Sequence, residues 1–215
     1  MNQHAVRIVD LRHILKSTPQ NSILTGNRIP RHFFLTSGRG ESDIAVHAGS
    51  YHLALKQAGI HSYNHIQYSS ILPAIAEEVE KPSECVHGSV METISAVANA
   101  KRGTRATAAL IFGWIYHRKT REKYGGLVCE YNGNYSIEKA KQSLKASLRE
   151  IYENGYRENY YLENIRFKAE SFVPQKRFGT ALVALCFVNY LYPVYSQIDG
   201  INFQNSILKN NGSSS

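Results

Sequence analysis

This 215-residue chain has no long apolar run. Nothing in it approaches the about 18 consecutive apolar residues that a bilayer-spanning helix needs. The opening residues 1–7 lack the apolar core of a secretory signal, so a cytoplasmic protein with no membrane partner is expected. Cysteine is scarce, at three residues, Cys85, Cys129 and Cys186. An odd number without metal-type spacing argues against a disulfide framework, and Cys129 and Cys186, set in apolar runs, read as small core side chains. The common catalytic signatures are missing too: there is no G-x-S-x-G elbow, no phosphate-cradling G-x-x-x-x-G-K-[ST], no H-E-x-x-H and no C-x-x-C. Gly38-Arg39-Gly40 starts like a dinucleotide loop, but Asp43 stands where a third glycine belongs. None of the nine histidines forms an i, i+4 pair beside a carboxylate, so no metal site is expected.

What is present is a globular composition, 43% hydrophobic and 20% charged, of a length that suits one domain. The net charge of +8 is scattered along the chain. Its densest run, Arg118-Lys119-Thr120-Arg121-Glu122-Lys123, falls between two strand-like segments and reads as a solvated hairpin loop. The aromatic residues are not arranged as in an RNA-binding sheet and no zinc-finger spacing occurs, so no nucleic-acid partner is expected.

Residues 1–30 read as an extension in which Ile8, Leu11, Ile14 and Leu15 have helical spacing. A single domain is expected over 31–195, followed by a low-complexity tail over 196–215. Within the domain, a short strand over 32–36 runs into a glycine-rich loop, Ser37-Gly38-Arg39-Gly40-Glu41-Ser42. A helix follows over 48–58 with Leu53, Ala54 and Ala58 inward and Gly59 as its stop. A strand over 63–68 then delivers the pair Ser69-Ser70. Residues 90–98 are ambiguous in type, and strands are expected over 107–116 and 127–131. Ser136 is a good N-cap for a helix carrying Ile137, Ala140, Leu144, Leu148 and Ile151 at the helical period, ended at Gly155. Strands over 165–173 and 180–190 complete the pattern, the second apolar enough to be buried on both faces. The fold class is α+β.

Chemistry concentrates on Ser69-Ser70, Asn64, Glu130 and the glycine-rich loop over 38–42. Taken singly, each has an ordinary structural explanation: serines and Asn64 as turn formers, Glu130 as a surface carboxylate or a salt-bridge partner at a subunit contact. Their order changes the weighing. Gly40-Glu41-Ser42, then Leu53-Ala54-Leu55 and Gln57-Ala58-Gly59-Ile60, Asn64, Ser69-Ser70-Ile71-Leu72-Pro73, Gly103-Thr104-Arg105-Ala106, Glu130-Tyr131 and Phe178-Gly179-Thr180-Ala181 together resemble the pyruvoyl-dependent arginine decarboxylases, most of all the bacterial, chlamydial-type members. The resemblance covers about residues 32–192 and is specific as a set.

The resemblance implies a compact αββα sandwich of mixed sheets with flanking helices, self-cleaved into chains 1–69 and 70–215. It also implies a homotrimer or hexamer with active sites between subunits. Ser70 would attack the Ser69 carbonyl, with Asn64 as a donor to the developing oxyanion. The ester so formed would eliminate, freeing Ser69 as a C-terminus, and residue 70 would become a pyruvoyl cofactor with loss of ammonia. That group would form a Schiff base with a small-molecule amino-acid substrate, by default L-arginine giving agmatine and CO2. Glu130 matches the proton donor, which requires burial that keeps its carboxyl protonated. The substrate would be met by position 52, with His61, Tyr63, Glu41 and Asp43 as further candidates. Arginine-specific members carry an aspartate at the position of His52, and histidine cannot make a carboxylate's bidentate pair with guanidinium. His52 is therefore either a specificity change or a packed core histidine. Two other readings stand beside the arginine decarboxylase: the same chemistry on another amino acid, and a non-cleaving paralogue serving as a structural or regulatory subunit.

Overall fold

The most apolar segment lies in the middle of a sheet. In the computed structural model, which describes residues 25–83 and 86–193, strand β10 (Phe178–Phe187) pairs antiparallel on one side with β2 (His32–Ser42) and on the other with β6 (Val90–Lys101). Edge strands β3 (Asn64–Gln67) and β5 (Glu77–Glu78) join in parallel to β6 and β2, giving a five-stranded mixed sheet ordered β3-β6-β10-β2-β5. A second, wholly antiparallel sheet has the order β4 (Ile71–Pro73), β8 (Lys123–Gly133), β7 (Ala106–His117), β9 (Tyr160–Phe172). A small ribbon pairs β1 (Ile29–Pro30) with β11 (Tyr190–Leu191). The expected N-terminal helix with Ile8, Leu11, Ile14 and Leu15, the tail over 196–215, and Cys85 all lie outside the described residues.

Two-residue alternation explains why β10 carries almost no polar side chain. Ala181, Val183 and Leu185 belong to an apolar cluster that also takes Ile94 from β6, Leu110 and Phe112 from β7, and Val128 from β8, so this face meets the second sheet. Leu182, Ala184 and Cys186 point the other way, into a cluster with Ala54, Leu55 and Ala58 of the short helix His52–Ala58. A third cluster joins Ile111, Leu127 and Cys129 of the second sheet to Ala140, Leu144 and Leu148 of the long helix Ile137–Gly155. Both strand faces being covered, alternating polarity would bury unpaired polar groups; the one hydroxyl in the strand, on Thr180, is paired with Ser50 and Asn99. Cys129 and Cys186 are free and buried, as expected. Burial pushes the Cys129 thiol up to about 11 and the Cys186 thiol higher still, so neither is a ready nucleophile.

Several local expectations need correction. The glycine-rich loop is not a loop: residues 37–42 continue β2, with Gly38 opposite Leu182 and Gly40 opposite Thr180. Glycine is required there for closeness of approach. A Cβ on Gly38 would collide with the carbonyl oxygen of Ala54 and stand 2.7 Å from the amide nitrogen of Ala58, and one on Gly40 would meet Ser50 and Ala54 backbone. The absent side chains let the helix lie directly on the strand. Gly38→Ala is expected to destabilise the fold by about 1–3 kcal/mol or more, read as a lower midpoint in a urea melt at unchanged slope.

The helix itself starts with a π-helical turn, Val46–Tyr51, before the α-helical His52–Ala58. Leu53 is exposed and Leu55 is buried in its place, because the π-turn's wider winding rotates the face that follows. Gly59 is the stop, at φ 72°. In the long helix Ser136 caps as expected, its side chain accepting from the Lys139 amide at 3.3 Å. Ile137 and Ile151, at its two ends, are exposed rather than packed. Residues 90–98 resolve as part of strand β6.

Candidate active site

The chain changes sheets across very few residues. β3 is held to β6 in parallel from Asn64↔Val90 to Gln67↔Thr93, and the Tyr68 amide continues the ladder, donating to the Thr93 carbonyl at 2.8 Å. β4 then pairs with β8 in the other sheet, Ile71 opposite Leu127, and the Ser70 carbonyl accepts from the Val128 amide at 3.0 Å. Ser69, between these two anchors, is exposed, while Ser70 is half-buried. β3 and β4 are both edge strands, so the crossing lies at the sheets' margins.

Ser70 Oγ donates a short hydrogen bond to Glu130 Oε1. Register places Glu130 there: it lies in β8 two residues after Val128, on the same face, and opposite Leu110 of β7. The carboxyl is half-buried, and desolvation raises its pKa above the ordinary glutamate value, with the Ser70 hydroxyl pulling part of the way back. The site thus holds a hydroxyl and a carboxyl inclined to keep its proton, side by side at a sheet edge.

The other candidates lie elsewhere within the single chain. Asn64 sits at the far end of β3, where its side-chain amide donates to the Gly88 carbonyl at 2.7 Å. His52 begins the short helix, exposed, with its ring edge-on to that of His61 at 5.8 Å. Tyr63 packs against the cluster under that helix. Glu41 accepts from the Gln175 and Lys176 amides at 3.2 and 3.3 Å. Asp43 accepts from the Arg177 amide at 2.9 Å and pairs with Arg102 at 3.6 Å. These two carboxylates hold the turn between β9 and β10. The described contacts join none of these residues to Ser70 or Glu130. Among the described residues no group of three His, Cys, Asp or Glu side chains is placed to hold a metal ion.

Sequence reasoning passed over Tyr68 and Glu92. The Tyr68 hydroxyl donates to Glu92 Oε2 at 2.5 Å, and Glu92 is only 2% exposed. A signal existed: Glu92 is the only charged residue in the run from Val90 to Ala100.

Comparison with known proteins bears on this site. The model of the family described as pyruvoyl-dependent arginine decarboxylase matches residues 32–192. The chain is 29% identical over 185 residues to the pyruvoyl-dependent arginine decarboxylase AaxB of Chlamydia caviae, covering 77% of this chain and 94% of that protein. It is 31% identical over 185 residues to AaxB of Chlamydia pneumoniae, with the same coverage. To the pyruvoyl-dependent arginine decarboxylase of Thermococcus kodakarensis it is 28% identical over 130 residues, covering 60% of this chain and 76% of that one.

Proposed function

This chain belongs to the pyruvoyl-dependent arginine decarboxylase family, and from that premise we propose that it cuts itself between Ser69 and Ser70 and decarboxylates L-arginine to agmatine and CO2. The observation that carries the proposal is the hydrogen bond from Ser70 Oγ to Glu130. The three apolar clusters support a layered αββα sandwich, and the crossing between its two sheets is where the cut would fall.

In maturation, Ser70 Oγ forms a bond to the Ser69 carbonyl carbon, the C–N bond breaks, and the Ser70 nitrogen takes up a proton. Glu130 Oε1 holds the hydroxyl proton as the attack begins. Loss of the Ser70 Cα proton with cleavage of the Cβ–Oγ bond then frees Ser69 as a carboxylate and leaves a Cα=Cβ double bond at residue 70; this enamine shifts to the imine, which water hydrolyses to the ketone with loss of ammonia. The residues present fit the pyruvoyl group: the Val128 amide, which now holds the Ser70 carbonyl, and Glu130, which now meets its hydroxyl, would hold and flank it. Once formed, that group would supply a ketone able to take up an α-amino group and to accept the electron pair left by CO2. Glu130, its carboxyl pushed above the ordinary glutamate range by burial, would be the group that delivers a proton to the substrate α-carbon.

His52 favours a second reading of the substrate. Its ring stacks edge-on with His61, and this pair offers a guanidinium no carboxylate. The same decarboxylation of an amino acid with a neutral or acidic side chain follows from that observation, and carbon dioxide release across a panel of amino acids separates the two. His52→Asp is expected to raise kcat/KM for arginine by about tenfold to a hundredfold, the worth of a charge-assisted pair. Equal values would remove His52 from specificity.

The Ser70–Glu130 and His52–His61 groups are separate within one chain, and Ile66 and Ile71, on the two strands that flank the crossing, are exposed at 45% and 56%. Both observations support a homotrimer, or a hexamer of two, in which His52 of one subunit meets Ser70 of another. Native mass measurement tests it. No helix among the described residues is long and apolar enough to cross a membrane, and the cytoplasm is the proposed compartment.

A further inference from the structure

We propose that Tyr68 and Glu92 form a positioning pair for self-cleavage, fixing the peptide just ahead of the scissile bond so that the Ser69 carbonyl is presented to Ser70 Oγ. The inference rests on the cleavage proposed above.

The two sides of the bond are held by different sheets. On the C-terminal side, Ser70 is fixed by its carbonyl on the Val128 amide and its hydroxyl on Glu130. On the N-terminal side, Tyr68 is fixed three ways. Its amide donates to Thr93, its hydroxyl donates to Glu92 Oε2 at 2.5 Å, and its ring lies 5.4 Å from that of Phe187. Only Ser69 is left exposed between them.

Glu92 is an odd choice for packing alone. It lies in β6 two residues before Ile94, on the face that carries Ile94, Ala96 and Ala98 toward the second sheet, and is 2% exposed. A carboxylate is costly in such a place unless strong partners meet it, and the Tyr68 hydroxyl is one. The pair ties the residue before Ser69 to a central strand of the sheet through a side chain, where the β3 ladder runs out. An intramolecular attack depends steeply on placement, a misfit of about 1 Å costing up to a hundredfold in rate. Gln67 is tied to Ser95 of β6 by its own side chain, but without its hydroxyl Tyr68 itself would keep its backbone bond to Thr93 and the packing of its ring on Phe187 and the core, with no polar anchor on its side chain.

The test is the time course of cleavage after rapid refolding or cell-free synthesis, followed by intact mass. Tyr68→Phe keeps the ring on Phe187 and removes only the hydroxyl, and its cleavage half-time is expected to lengthen at least tenfold. Glu92→Gln keeps an acceptor for that hydroxyl and is expected to cleave within about threefold of the unaltered chain. Melting temperatures compared in a Ser70→Ala background, where no variant can cut, are expected to be alike with and without Tyr68→Phe. Cleavage of Tyr68→Phe at the unaltered rate overturns the proposal, as does a slowing matched by an equal loss of melting temperature. An unaltered chain that stays whole overturns the underlying self-cleavage reading, and the same time course shows which of the two has failed.

Discussion

Ser70→Ala is expected to yield one uncut chain with no decarboxylase activity. The expectation is total because in the proposed maturation a single oxygen serves two successive ends. It would be the nucleophile that opens the Ser69–Ser70 bond and then the leaving atom whose departure from Cβ unsaturates residue 70, the step without which water cannot make the ketone. Alanine supplies neither of these, and no neighbouring hydroxyl replaces it: Ser69 Oγ is on the wrong side of the bond. The fold does not depend on it. The Val128-to-Ser70 hydrogen bond and the Ile71↔Leu127 pairing are made by backbone, so the variant is expected to fold, assemble and melt as a soluble protein. One side effect is expected. The Ser70 hydroxyl holds the Glu130 pKa down, and removing it lets burial drive that carboxyl further up. Denaturing mass spectrometry is expected to show one species for the variant and two fragments for the unaltered protein. Cutting or carbon dioxide release by the alanine variant would refute the role of Ser70.

Glu130→Gln separates maturation from turnover. The amide oxygen of glutamine still accepts from Ser70 Oγ, so the variant is expected to cut and to acquire its carbonyl, detected by reaction with a hydrazine. An amide has no proton to give the α-carbon, and kcat is expected to fall by about 10² to 10⁴. The pH profile gives an independent check. Only the protonated carboxyl donates, and its raised pKa carries that form to higher pH than an ordinary glutamate allows. Turnover of the unaltered enzyme is therefore expected to fall as pH rises through that raised value, and this limb should be missing from the residual activity of the variant. Stability follows the same sign. A carboxyl whose pKa is raised on folding contributes most below its unfolded pKa and loses that contribution as pH climbs through the folded one. The melting temperature of the glutamine variant relative to the unaltered protein should accordingly rise with pH. A glutamine variant that turns over normally would move the proton-donor role to another group.

What could be read from the sequence, and what could not, divides by range. Ser136, Gly59 and the both-sided apolar run of β10 act through neighbours a few residues away or through strand period, and each was legible. Ser70 and Glu130 were named from a pattern of short motifs, but their contact is set by the β4–β8 register across 60 positions, which no local spacing reveals. Gly38 and Gly40 misled because glycine marks turns more often than it marks a strand on which a helix must lie closely. Glu41 and Asp43 were drawn toward the substrate by their charge, and the structure gives them to the amides of the β9–β10 turn. Glu92 went unread because a lone carboxylate in a strand carries no motif.

Strand order has one last consequence. β2 comes from the portion before Ser69, yet it sits inside the larger sheet with β10 and β5, both from the portion after Ser70, on its two flanks. Cutting the chain therefore releases nothing. The short piece is woven into the long one and can leave only if that sheet is torn open. Such an enzyme carries its reactive group for life: dialysis cannot strip it, added pyruvate cannot restore it, and a copy whose ketone has been spent by a side reaction can be renewed only by making another from the ribosome onward.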